Sequence, residues 1–160
     1  MINDNTAAAL AARELTLTRL IDAPRHILYR CWTEPELMKQ WFCPRPWTTP
    51  VIEVDVRNGG SNFILMQGPN GEEMPNRGVY LEVVPNEKLV FTDAFTEAWK
   101  PSDKPFMTGI ITFADEGGKT RYTAVARHWS EEDKAAHEQM GFHEGWGKAT
   151  DQLEALARTL

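Results

Sequence analysis

Residues 120–160 read TRYTAVARHWSEEDKAAHEQMGFHEGWGKATDQLEALARTL, and the spacing of the apolar side chains changes inside that stretch. Up to Trp129, Thr120, Tyr122, Thr123, Val125 and Trp129 are β-branched or aromatic, as an extended strand prefers. Ser130 then suits a helix N-cap, with Glu131, Glu132 and Asp133 in the first turn, where negative charge complements the helix dipole. Phe142, Trp146, Ala149, Leu153, Leu156 and Leu160 recur at alternating intervals of four and three. Such a stripe marks one long C-terminal helix, starting at Ser130 and able to lie across a whole sheet.

Upstream of this helix the signals are β. Phe106 to Ala114 and Thr120 to Trp129 form a hairpin across Asp115-Glu116-Gly117-Gly118. Arg77 to Val84 and Leu89 to Phe95 are strands joined at Pro85-Asn86-Glu87. Asn62 to Gln67 precedes the turn Gly68-Pro69-Asn70-Gly71, and Val51 to Arg57 leads into Gly59-Gly60, a tight connection or bulge. Further back, ELTLTRLI at residues 14–21 alternates apolar and polar residues, a half-buried strand. Between the first and second strands lie two short helices. Pro24 starts one in its first turn, with Ile27, Leu28, Cys31 and Trp32 on one face. Thr33-Glu34-Pro35-Glu36 forms a capping box for the other, which Pro44 and Pro46 end. Sequential strands joined by short turns imply an antiparallel sheet of about seven strands with the helices packed on it, an α+β fold.

The 160 residues suit one domain with a real core. Residues 1–12, polar and alanine-rich, read as a flexible tail, and 13–160 as the single domain. A net charge of −6, with no run of Lys or Arg, argues against nucleic acid as a partner. No stretch approaches the ~20 apolar residues of a membrane span, so no insertion is expected, and nothing reads as a signal peptide. Two cysteines, Cys31 and Cys43, without metal-ligand spacing fit a reduced, cytoplasmic protein.

An ordered series of landmarks resembles one family. It runs from RLIDAPRHILYRCW at residues 19–32 and Trp41-Phe42-Cys43-Pro44 through Asp55-Val56-Arg57-Asn58-Gly59-Gly60 and Gly78-Val79-Tyr80-Leu81-Glu82. Pro85-Asn86-Glu87-Lys88-Leu89, Met140-Gly141-Phe142, Gly145-Trp146 and Leu153 follow. The chain is similar, over residues 13–160, to the family of the C-terminal domain of the Hsp90 ATPase activator. That family lies within the START-like helix-grip superfamily, which also contains polyketide cyclases. The resemblance implies a curved sheet whose concave face is gripped by the C-terminal helix, enclosing a pocket for an apolar molecule. The activator carries a further N-terminal domain that this sequence lacks, so chaperone contact is expected by analogy only.

Trp32, Trp41, Phe42, Phe63, Tyr80, Phe91, Phe113, Met140, His143 and Trp146 are the candidate ligand-binding residues; an ordinary core would also use the aromatic ones, and His143 also suits a boundary or surface position. Gly141, Gly145 and Gly147 in a helix need a reason, since each costs roughly 1 kcal/mol against alanine. Close packing and room for a ligand both supply one. His143, Tyr80 and Glu82 are weak candidates for catalysis. Glu82 is buried if Gly78 and Tyr80 line the concave side, and solvated if Val79, Leu81 and Val83 do. His128, His137 and His143 are too scattered along the chain to form a site, and no cofactor or metal motif is present. The expected function is binding of a small hydrophobic ligand, as carrier or sensor. A cyclase, dehydratase or hydrolase using the same pocket, or a protein-interaction module, is the alternative, and a homodimer is open.

Overall fold

The computed structural model describes residues 4–160. The elements run α1 (Asp4–Ala11), β1 (Glu14–Ile21), α2 (Arg25–Thr33), α3 (Pro35–Met38), β2 (Thr48–Val54), β3 (Ser61–Gln67) and β4 (Glu73–Val84). After them come β5 (Lys88–Thr92), β6 (Met107–Glu116), β7 (Lys119–His128), α4 (Glu131–Gln139) and α5 (Phe142–Ala157). The seven strands form one antiparallel sheet in the order β1-β7-β6-β5-β4-β3-β2. Because β1 and β2 are opposite edges, the chain between them must cross the full width of the sheet. Helices α2 and α3 are that crossing, and they share one face of the sheet with α5.

Alternation decides which side chains meet the helices. Leu15 and Ile21 of β1 are buried while Thr16, Thr18 and Leu20 are exposed. Opposite them, Tyr122, Ala124, Ala126 and His128 of β7 are buried on the same face. Gly109 of β6 lies across from Phe91 of β5, and a Cβ there would sit 2.4 Å from the Phe91 ring. Gly109→Ala must displace that ring, so a loss of about 1–3 kcal/mol is expected in urea unfolding.

Several local readings are corrected. The single C-terminal helix is two, because Gly141 takes φ +95°, a left-handed conformation that interrupts helical bonding between α4 and α5. The apolar stripe from Phe142 to Leu156 lies on α5, Leu160 falls beyond its end and is exposed, and α4 buries none of its residues. The N-terminal stretch expected as a tail carries α1, consistent with the helix propensity of its alanines and Leu10. The part of that expectation concerning residues 1–3 lies outside the described residues. Pro24 is the N-cap of α2 rather than part of its first turn. The capping box does not form. Glu34 is the N-cap of α3, Pro35 takes its first turn, and the Thr33 hydroxyl donates back to the Tyr29 carbonyl at 2.8 Å.

Candidate functional site

The helix face of the sheet is centred on Trp32. Its ring centroid lies 5.0 Å from Trp41, 5.8 Å from Phe42 and 5.9 Å from Phe91, mostly edge-on, as aromatic quadrupoles prefer. Trp41 is anchored by its indole N–H, which donates to the Cys31 carbonyl at 2.8 Å. Phe113 sits between Tyr29 and Tyr122, with centroids at 6.1 and 6.0 Å. Tyr80 joins the same buried cluster from β4, and Trp146 packs against it from α5. Of the sequence-derived candidates, the fold therefore gathers Trp32, Trp41, Phe42, Tyr80, Phe91, Phe113 and Trp146.

Four candidates lie elsewhere. Met140 is 71% exposed at the joint between α4 and α5. The His143 side chain is 59% exposed, with Nε2 3.7 Å from Glu138. Phe63 alternates with buried Ile64 and so faces away from the helices, under the Arg77 guanidinium at 4.1 Å. Glu82 is also turned outward, paired with Lys88 at 3.2 Å, though neither simple strand phase describes it. The β4–β5 register slips between Tyr80 and Glu82, placing Tyr80 opposite Phe91 and Val83 opposite Leu89. This bulge at Leu81 puts Tyr80 and Val83 on the inner face together and leaves Leu81 exposed.

The interior is apolar but carries polar atoms. Trp32 is only 7% exposed, and its Nε1 has no hydrogen-bond partner. The Tyr122 hydroxyl is near this nitrogen without reaching hydrogen-bond geometry. Burial pushes the Tyr122 phenol well above its ordinary range, with Trp32 and the Arg19 charge pulling partly back. Burial raises Tyr80 likewise. Both phenols therefore keep their protons at neutral pH. Burial also lifts the Cys31 thiol to about 11, so it is no nucleophile at neutral pH.

The glycines of α5 are not there for close packing. A Cβ on Gly145 would find its nearest neighbour at 4.0 Å, Pro44 Cγ, and one on Gly147 at 4.0 Å, Arg19 Nη2. Gly145→Ala is accordingly expected to raise unfolding stability by about 1 kcal/mol, the ordinary helix preference for alanine, read from a urea titration.

Two features escaped the sequence reading. Gln152 of α5, 9% exposed, donates its amide to the carbonyls of Trp41 (3.0 Å) and Cys43 (2.8 Å) and accepts the Arg45 N–H (3.0 Å). It ties the segment between α3 and β2 onto the last helix, beside a cleft of about 430 Å³ that Arg45, Trp47 and Gln152 help to line. The second is a histidine pair. His128 at the end of β7 and His137 on α4 meet at 2.8 Å, Nε2 to Nδ1, within reach of Phe106, Phe142 and Trp146. His143 does not take part.

Burial, reinforced by His128, lowers the His137 pKa from 6.5 to about 4. Between these values the unfolded chain binds a proton at His137 that the folded chain does not. Stability is thus expected to be fully present above pH 6.5 and to fall as pH drops toward 4. His137→Phe should flatten this part of a stability–pH profile measured by urea unfolding.

The profile of the family described as "Activator of Hsp90 ATPase homolog 1-like protein" matches residues 22–158. The chain belongs to this Hsp90-activator-homologue family. A crystal structure of a protein from Nitrosomonas europaea resembles this family member with a TM-score of 0.90 and 40% identity, covering 93% of this chain and 96% of that one. A protein from Mycobacterium smegmatis is 29% identical, with a TM-score of 0.78 over 92% of this chain and 91% of its own. One from Chromobacterium violaceum is 25% identical, with a TM-score of 0.74 over 89% and 96%. No curated protein matches. The expected fold is therefore found: a START-like α+β domain with a seven-stranded curved sheet and a helix at its C-terminal end. Among the described residues no helix is long and apolar enough to cross a membrane.

Proposed function

We propose that this domain binds a small, largely apolar molecule that carries a hydrogen-bond acceptor, in the interior between α2, α5 and the sheet. The observation that carries this reading is the Trp32 indole N–H, which is buried and has no partner in full hydrogen-bond geometry, the Tyr122 hydroxyl being the one polar group close enough to interact with it. A buried unpaired donor is costly, on the order of 1–3 kcal/mol, and an indole N–H can only donate. A ligand offering a carbonyl or ether oxygen at this point removes that cost. The neutral phenols of Tyr80 and Tyr122 make the surroundings suitable for an uncharged guest. Aromatic walls with a few polar groups are the usual composition of a small-molecule site.

In this structure the rings around Trp32 pack on one another, and neither the cleft beside Gln152 nor one of about 270 Å³ beside His128 is lined by them. Binding therefore requires α5 to move from the sheet. Gly141, with its left-handed φ, and the uncrowded Gly145 and Gly147 lie at the start of the helix that would have to move.

The test compares 2-acetylnaphthalene with 2-ethylnaphthalene, matched in shape but differing in the acceptor, by calorimetry or tryptophan fluorescence. The ketone is the less hydrophobic of the two, yet it is expected to bind about tenfold more tightly, equivalent to roughly 1.4 kcal/mol. Trp32→Phe should abolish the preference. Equal binding of the two compounds, or a preference that survives in Trp32→Phe, would overturn the proposal.

A further inference from the structure

The geometry of the histidine pair favours one proton arrangement. The Arg13 carbonyl oxygen lies 2.8 Å from His128 Nδ1 and also accepts the His128 backbone N–H at 2.8 Å. A carbonyl can only accept, so Nδ1 of His128 carries a proton. If His128 is neutral, its Nε2 holds a lone pair, and His137 Nδ1, 2.8 Å away, must donate to it. The other arrangement needs a doubly protonated His128. That would place an imidazolium at 1% exposure, with no carboxylate paired to it among the described residues. The cost of an unpaired buried charge rejects it.

The chain from carbonyl to His128 to His137 therefore leaves His137 Nε2 with an exposed lone pair, and no described residue donates to it. This is the logic by which a backbone or carboxylate oxygen fixes a histidine tautomer and orients its far nitrogen. The lowered pKa of His137 keeps that nitrogen an acceptor at neutral pH. Its surroundings are aromatic: Phe106 and Phe142 are each 5.2 Å from the ring, and Trp146 is 6.0 Å away. Phe142 is fully buried, while Phe106, His137 and Trp146 are only partly covered, so a solute can reach them.

We infer that His137 Nε2 is the accepting end of a second ligand site, one that takes an aromatic alcohol. The hydroxyl donates to Nε2 and the ring packs beside Phe106 and Trp146. The inference does not rest on ligand binding in the Trp32 interior, although Trp146 of α5 borders both places: that interior asks for an acceptor on the ligand where this site asks for a donor.

Nitrogen-15 NMR of the imidazole rings in the native protein tests it, with phenol and anisole as probes. Both His128 and His137 are expected as the Nδ1–H tautomer, which free histidine disfavours. Phenol should move the His137 Nε2 resonance saturably toward the position of a protonated nitrogen, while anisole, which has no donor, should not. His137→Phe, keeping an aromatic ring in place, should lose the phenol response, and Trp32→Phe should retain it. A proton on His137 Nε2, an equal response to anisole, or no response to phenol would each overturn the inference.

Discussion

Trp41→Ala is expected to destabilise the fold by about 3–5 kcal/mol, the range for truncating a large buried aromatic. The ring packs at 5.0 Å on Trp32 and 5.5 Å on Phe42, and the substitution also loses the 2.8 Å bond to the Cys31 carbonyl. Against a total stability typically of 5–15 kcal/mol, this takes a large share. Trp41→Phe separates the two contributions, since it keeps a packed ring and removes the hydrogen bond. Its cost should be nearer 1–2 kcal/mol, and urea midpoints of both variants provide the comparison. Equal losses would mean that the indole bond, rather than packing, holds the aromatic centre.

The second large effect is expected at Gln152. Gln152→Ala removes three hydrogen bonds and leaves the Trp41 carbonyl, the Cys43 carbonyl and the Arg45 N–H without this partner in a mostly buried place. A loss of about 2–4 kcal/mol is expected. Gln152→Glu keeps the size but faces two carbonyl oxygens with a carboxylate, so it should be at least as harmful at neutral pH. It should recover in part on acidification, when the carboxyl regains a donor. A Gln152→Glu protein as stable as the parent at neutral pH would remove the clamp from the account.

The strands and their order along the chain were legible because their signals are local. Asp115-Glu116-Gly117-Gly118 between two alternating runs specifies the β6–β7 hairpin, and both glycines of that turn adopt positive φ. The packing of Phe91 followed from the same alternation and that of Trp32 from the helical spacing in α2, whereas Trp41 lies in the turn beyond α3, which ends at Met38. The misplacements arise where one residue changes the phase. Gly141 fits a continuous helix as well as a break, and only its left-handed φ separates the two. Leu81 looks like any strand residue, yet its bulge lets Tyr80 face inward while Glu82 faces out. His128 and His137 are joined because a strand end and the following helix fold back on each other, which spacing alone does not disclose. Gln152 sits beside the apolar stripe of α5 and reads as a flanking polar residue. Its role depends on backbone carbonyls more than a hundred residues away.

The proposed binding function rests on the Trp32 indole N–H, buried without a partner in full hydrogen-bond geometry. The Trp32 Nε1–H resonance, identified by its loss in Trp32→Phe, measures this directly during titration with 2-acetylnaphthalene. The account predicts a saturable downfield shift with the ketone that 2-ethylnaphthalene does not produce, as the N–H acquires an acceptor. A resonance that stays in place while the ketone binds would put the ligand elsewhere and contradict the claim.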